Sequence, residues 1–214
     1  MNGKSTVKSL IALTMAGAMV FSMNTMPVSA AKKKTKAKST VKSVKVVAPS
    51  GSKKSATVAK GKSIKLAVTV NATKKAYKKV TYKVSNKKVI SVSKKGVVKG
   101  KKAGTATVKV ISAKNKKKTA SIKIKVVSGA VKKVKLNKSN LALNVGDSGK
   151  LSVKVTASKK AYKTLKWTTS NKKVATVTSK GVVKGIGKGT AKITAASLDG
   201  TGKKSTCTVT VREK

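Results

Sequence analysis

The chain has 214 residues, of which 53 are basic and three acidic, with no histidine and a single cysteine. A formal net charge of +50 at neutral pH excludes a surface balanced by ion pairs and implies self-repulsion at low salt. The same inventory excludes an intramolecular disulfide and all catalysis or zinc binding that depends on histidine.

Residues 1–30 read as an export signal. Lys4 and Lys8 supply the positive start, Leu10 to Phe21 is an apolar run, and Val28-Ser29-Ala30 places small residues at a cleavage site. The run is shorter than the ~18 apolar residues of a membrane-spanning helix. A cleaved signal peptide and a secreted chain are therefore expected, with cleavage after Ala30 or after Ala31. Residues 31–40 follow as a lysine-rich arm. Lys32, Lys33, Lys34, Lys36 and Lys38 lie there without any apolar pattern, so the arm is expected to be flexible and to bind polyanions.

A patterned unit then runs over 41–127. It opens on Val41-Lys42-Ser43-Val44 and closes on Ile122-Lys123-Ile124-Lys125-Val126, where apolar residues and lysines alternate. Alternation of period two marks strands with one buried and one solvated face. Ser128-Gly129-Ala130 is a short joint, and 131–214 repeats the unit. Ser85-Asn86-Lys87-Lys88-Val89 returns as Ser170-Asn171-Lys172-Lys173-Val174, an offset of 85. That offset also takes Gly61 to Gly146, Tyr77 to Tyr162, Tyr82 to Trp167, and Gly96-Val97-Val98-Lys99-Gly100 to Gly181-Val182-Val183-Lys184-Gly185. Only the opening slips: Val41 to Val44 matches Val131 to Val134 at an offset of 90, so the first copy has five extra residues around Pro49 to Thr57. An insertion of this kind belongs in a loop.

The second copy shows the same alternation at Leu151, Val153 and Val155, at Leu165 and Trp167, and at Cys207, Val209 and Val211, with glycines where turns are needed. No segment carries a sustained helical period. Short strands at this spacing predict an all-β fold: two tandem immunoglobulin-like β-sandwich domains after a cleaved signal peptide.

The ordered string Leu165-Lys166-Trp167-Thr168-Thr169-Ser170-Asn171, Val174 to Val177, Gly181-Val182-Val183 and Gly189 to Ala195 resembles the bacterial Ig-like group 2 (BIG2) domain family. That module recurs in intimin- and invasin-type adhesins and in surface proteins of Gram-positive bacteria. The first copy departs from it with Tyr82 in place of the usual tryptophan and Ile90-Ser91 in place of an Ala-Thr step. The resemblance implies a stalk or adhesion module with no shared catalytic set.

The residues agree with a non-enzymatic protein. The acids are Asp147, Asp199 and Glu213, all in the second copy, so paired-carboxylate catalysis is excluded from the first. Single acids in separate turns are too few for a calcium site, and no glycine-rich phosphate loop precedes a helix. No cofactor or metal is expected. Cys207 is in register with Val209 and aligns with Ile122, which predicts a buried structural thiol. Tyr82 and Trp167 are assigned to the structural core. Tyr77 and Tyr162 each lie in Lys-Lys-Ala-Tyr-Lys before a strand. Both are read as edge packing, with contact to a ligand as the alternative.

The charge points outward to a partner. Residues 31–127 carry 31 lysines and no acid, whereas 128–214 carry 20 basic residues against three acids. Lysines on strand edges discourage edge-to-edge pairing, but this does not require the near-absence of acids. Attraction to anionic polymers does: teichoic acid, acidic glycans or, non-specifically, nucleic acid. Lysine acts as a point charge and arginine as the bidentate reader, so a chain with one arginine is expected to adsorb in a salt-sensitive way without reading sequence. The expected function is a secreted, wall- or surface-associated structural or adhesive protein. A soluble extracellular binder of polyanions is the alternative. Since screening at 0.1 M salt acts over ~10 Å, added salt or polyphosphate is expected to raise the melting temperature, as followed by circular dichroism.

Overall fold

A computed structural model describes residues 40–73 and 75–214, which belong to one compact unit. The first half is β1 (Val41–Val47), β2 (Ser55–Ala59), β3 (Ser63–Lys65), β4 (Ala67–Ala72), β5 (Val80–Val84), β6 (Ile90–Val92), β7 (Val97–Gly100), β8 (Gly104–Ser112) and β9 (Thr119–Val127). The second half repeats it as β10 (Val131–Leu136), β11 (Asn140–Asn144), β12 (Ser148–Lys150), β13 (Val153–Ala157), β14 (Leu165–Thr169), β15 (Ala175–Val177), β16 (Val182–Gly185), β17 (Gly189–Ser197) and β18 (Lys204–Arg212). Among the described residues the one helical element is a short 3-10 turn, Lys75–Lys78.

The two halves share one topology. A four-stranded sheet in the order β2-β9-β8-β5 faces the pair β1-β4 and the three-stranded sheet β3-β7-β6; the second copy has β11-β18-β17-β14, β10-β13 and β12-β16-β15. In both, the first strand of the large sheet runs parallel to the last strand of the domain, while the other pairings are antiparallel. The fold is all-β with two tandem immunoglobulin-like sandwiches.

Alternation accounts for the layers. On β9, Ile122, Ile124 and Val126 are buried while Lys123 and Lys125 between them are exposed. On β8, Ala106, Val108 and Val110 face the same core. Each half has its own core: Val58, Ile90, Val98, Val108 and Ile124 are among the buried residues of the first, and Leu151, Val183, Ile193, Cys207 and Val209 of the second. Fully burying a Val, Leu or Ile side chain contributes about 1.5–3 kcal/mol, so two dozen such residues hold the sandwiches without a disulfide.

The repeated Ser-Asn-Lys-Lys motif is a structural pin. The Asn86 and Asn171 side-chain oxygens accept the N–H groups of Lys88 (2.9 Å) and Lys173 (3.0 Å). The Ser85 and Ser170 hydroxyls accept the N–H groups of Thr107 (2.8 Å) and Lys192 (2.9 Å) on the neighbouring strand. A polar turn is thereby tied to the centre of each large sheet. The extra residues of the first copy lengthen the connection to 48–54, against 137–139 in the second.

Cys207 is fully buried on β18 opposite Ile193. Burial pushes its thiol above the ordinary value, with the Lys138 ammonium acting the other way. Tyr82 and Trp167 are half-buried and pack against the margins of the two cores. Burial likewise raises the phenol of Tyr82. Each ring covers a turn glycine: a β-carbon at Gly96 would lie 2.7 Å from the Tyr82 hydroxyl, and one at Gly181 would lie 2.9 Å from the Trp167 ring.

The halves meet at Asp199, whose carboxylate braces the second half and whose backbone carbonyl reaches the first. The Asp199 carboxylate accepts the N–H of Val131 (2.7 Å) through one oxygen, and the N–H (3.0 Å) and hydroxyl (2.6 Å) of Thr201 through the other. Its backbone carbonyl accepts the N–H of Ala59, in the first half, at 2.8 Å. Gly200 beside it adopts φ +83 and lies against the Ser63 carbonyl, leaving no room for a side chain. The Lys166 ammonium donates to the Pro49 carbonyl at 2.9 Å, so the longer first-copy loop serves as a second attachment. Gly129, in the joint, lies directly against the backbone of Lys159 to Ala161.

Two substitution pairs follow from these contacts. Gly146 and Gly181 both have positive φ, but only at Gly181 would a β-carbon also meet backbone, the Leu151 carbonyl at 2.5 Å. Gly146→Ala is expected to cost about 1–2 kcal/mol of stability in urea titrations. Gly181→Ala should cost about 3 kcal/mol or more, because overpacking adds to the backbone strain. Asp199→Ala strands the buried Val131 N–H and is expected to cost about 2–3 kcal/mol. It should also speed limited proteolysis at residues 128–130, whereas Asp147→Ala, which removes only the 3.3 Å acceptor of the Asn144 N–H, should cost less and leave the proteolysis unchanged.

Candidate functional site

Each lysine whose side chain the structure describes is exposed, but the lysines are not evenly spread. On the outer face of the first large sheet, Lys83 of β5 lies directly opposite Lys109 of β8. Lys109 in turn pairs with Ser121 of β9, two positions from Lys123, and Lys125 follows on the same face. Neighbouring strands are about 4.8 Å apart, so four ammonium groups share one pleated surface interleaved with hydroxyls of Ser55, Thr57, Thr105, Thr107 and Ser121. Like charges directly opposite each other on a sheet are destabilising. Among the described residues no carboxylate offsets them: the one ion pair is the exposed Lys188–Glu213 contact at 3.8 Å in the second half.

The second copy places its cations differently on the equivalent face, where Lys166, Lys192, Lys204 and Arg212 are exposed. At the 85-residue offset Lys83, Lys109, Lys123 and Lys125 become Thr168, Thr194, Thr208 and Thr210. Thr194 and Thr206 there bond to each other across β17 and β18 at 3.2 Å. The same backbone surface therefore carries four cations in each copy but at different positions, and only in the first are two of them, Lys83 and Lys109, directly opposite each other.

The lysine face runs to the junction between the halves. There Thr57, Lys125 and Ser128 meet Lys160 and Tyr162 around a cleft of about 560 Å³. Lys160 has φ +61, the one positive value outside glycine among the described residues. The two tyrosines of the repeated Lys-Lys-Ala-Tyr-Lys motif have diverged. Tyr77 ends up in the 3-10 turn, packed on the first core with the Lys114 ammonium 5.0 Å from its ring centre. Tyr162 lies in an extended segment at the junction, and Asp199 occupies the position equivalent to Lys114.

Of the sequence-derived candidates, Lys32, Lys33, Lys34, Lys36 and Lys38 lie outside the described residues, as does the signal segment. Cys207, Tyr82 and Trp167 are placed at a core, the first inside it and the aromatics at its margin. The four-lysine face was not singled out by sequence reasoning. Lys123 and Lys125 show in the alternation of β9, but bringing Lys83 beside Lys109 requires the strand order. Comparing the two copies position by position would have found it. Nothing in this arrangement activates a nucleophile: the lysines are exposed, and among the described residues no group of three or more His, Cys, Asp or Glu side chains converges.

Comparison with known proteins places the chain in context. A 3-O-alpha-D-galactosyl-alpha-L-arabinofuranosidase of Bifidobacterium longum is 43% identical over 72 residues, which is 34% of this chain and 6% of the relative. An uncharacterized protein of Clostridium acetobutylicum is 31% identical over 134 residues, 63% of this chain and 14% of the relative. The chain thus spans a small fraction of the length of the curated relatives it matches. Among solved structures, domains 5–6 of the S-layer protein SbsC align with 82% of this chain and 99% of theirs, at 17% identity and TM-score 0.38. Intimin of EHEC O157:H7 aligns with 47% of this chain and 50% of its own, at 16% identity and TM-score 0.29. The family model for the bacterial Ig-like domain (group 2) matches residues 40–122 and again 130–209. With both sandwiches matched along nearly their whole length, the chain belongs to the bacterial Ig-like domain (group 2) family.

Proposed function

We propose that this is a non-enzymatic, exported structural or adhesive protein, retained on anionic wall or host polymers by the lysine face of its first sandwich. The carrying observation is the four-lysine surface of β5, β8 and β9, on which Lys83 and Lys109 are directly opposed, whereas the cations on the second copy's equivalent surface are spaced apart. Cross-strand lysine repulsion is a standing cost to the fold, and a bound row of anions relieves it. Teichoic acid or an acidic glycan supplies such a row. Nucleic acid does so too, but the face offers neither arginine for base edges nor an aromatic for base stacking, so contact with it would be to phosphate alone.

Charge removal at constant fold tests this reading. The variant Lys83→Gln, Lys109→Gln, Lys123→Gln, Lys125→Gln is expected to bind poly(glycerol phosphate) much more weakly than wild type and with a shallower dependence on salt. A control set of the same size in the second half, Lys133, Lys135, Lys150 and Lys154 to Gln, should change binding far less. Equal losses in both sets would reduce the interaction to net charge. Failure of a high-salt wash to release the protein from intact cells would overturn electrostatic retention.

A further inference from the structure

The junction cleft has features that a row of surface lysines lacks. Its walls come from both sandwiches: Thr57, Lys125 and Ser128 from the first half and the joint, Lys160 and Tyr162 from the second. The walls are fixed in place, because the Asp199 carbonyl holds Ala59 and the Lys166 ammonium holds Pro49. Gly129 packs closely on Lys159 to Ala161, where the Ala161 N–H closes a turn on the Ser158 carbonyl at 3.2 Å and Lys160 within that turn is left-handed. Non-glycine residues held in such conformations concentrate where function requires a set geometry.

Tyr162 is the second feature. In the first copy the equivalent Tyr77 is engaged by the core on one side and by Lys114 on the other. In the second copy the equivalent of Lys114 is Asp199, whose carboxylate is committed to Val131 and Thr201. The half-buried Tyr162 ring therefore lines the cleft without a cation stacked on it and borders the Pro49 loop on its other side. The cleft lining contains two lysines, two hydroxyl residues and one aromatic, with no acid, amide or arginine.

Building on the polymer-binding reading above, we propose that this cleft holds one acidic sugar unit, a uronate or sulfated pyranose, at the end of the lysine face. The C–H groups of a pyranose carry partial positive charge and suit the negative face of an aromatic ring. Lys125 and Lys160, from opposite walls, receive the carboxylate or sulfate, and Thr57 and Ser128 exchange hydrogen bonds with ring hydroxyls. A cleft of about 560 Å³ lies within the range of roughly 300–1,000 Å³ typical of small-ligand sites, and such sites favour domain interfaces. A base would find neither a second ring to close the stack nor an amide to read its edge.

The test is calorimetric titration of the full chain with a sulfated, uronate-containing chondroitin disaccharide at about 0.15 M salt. Lactose and a thymidine dinucleotide are the comparison ligands, with long chondroitin sulfate as the polymer arm. The disaccharide should bind in a saturable way, with lactose and the dinucleotide each roughly tenfold weaker or more. Tyr162→Ala, and the pair Lys125→Gln with Lys160→Gln, should each weaken the disaccharide roughly tenfold. Tyr162→Phe should keep most of the binding, and the pair Lys150→Gln with Lys154→Gln, equal in charge removed and away from the cleft, should leave it unchanged. Trp167 emission and the unfolding midpoint report whether each variant folds; if Tyr162→Ala does not, Tyr162→Phe and the lysine pairs still decide. Equal loss from both lysine pairs, or tighter binding of the dinucleotide, overturns the proposal. Binding of the polymer without the disaccharide overturns the cleft and leaves the polymer reading standing. Binding of neither overturns both.

Discussion

Apolar burial in this protein works against its own charge, and most of its structure follows from how that conflict is arranged. Each strand gives one face to Val, Ile, Leu or Ala and the other to Lys, Ser or Thr, so the attractive and repulsive residues alternate along the same backbone. The pleat separates them: Ile122, Ile124 and Val126 point into a closed core while Lys123 and Lys125 stand in water. Where the large sheet brings lysines from two strands together, as at Lys83 and Lys109, the repulsion sits on a surface stiffened by the core beneath it. A charged surface that cannot relax by bending remains available to an external partner.

The two copies share a backbone plan yet have diverged into complementary roles. The first has no acid and sets Lys83 directly opposite Lys109 on its large sheet. The second separates its large-sheet cations with threonines and carries Asp199, a buried acid in a hairpin whose first-copy equivalent is the lysine-rich segment Lys114 to Lys118. The longer Pro49 loop belongs to the first copy alone and is the loop the second copy touches. The halves are therefore not interchangeable: both expose charge, but each brings different groups to the junction between them.

Much of the fold was legible in the residues, for a plain reason. Period-two alternation and an 85-residue self-match are local or one-dimensional signals, and both survive in a single sequence. Cys207 could be placed on a buried face because its register with Val209 is a two-residue relation. The junction was not legible, because it depends on contacts between distant positions. Asp199 looked like an isolated turn acid until the structure put its carboxylate on Val131 and its carbonyl on Ala59. Tyr162 could not be separated from Tyr77 on identical local sequence, since what distinguishes them is the residue that folds over each ring. The lysine face was half legible, its β9 members from alternation and its β5 and β8 members only from strand order.

The parallel pairing inside each sandwich has a mechanical consequence. The strand that opens the large sheet runs alongside the strand that ends the domain, Ser55 to Ala59 beside Lys123 to Val127, and Asn140 to Asn144 beside Thr208 to Arg212. Tension applied between the ends of a domain draws these two strands past one another along their length. Their hydrogen bonds then bear the load together in shear, and none can peel open ahead of its neighbours. A chain fixed at one point and pulled at another would resist as a strut, with its toughness set by backbone direction and independent of its lysines.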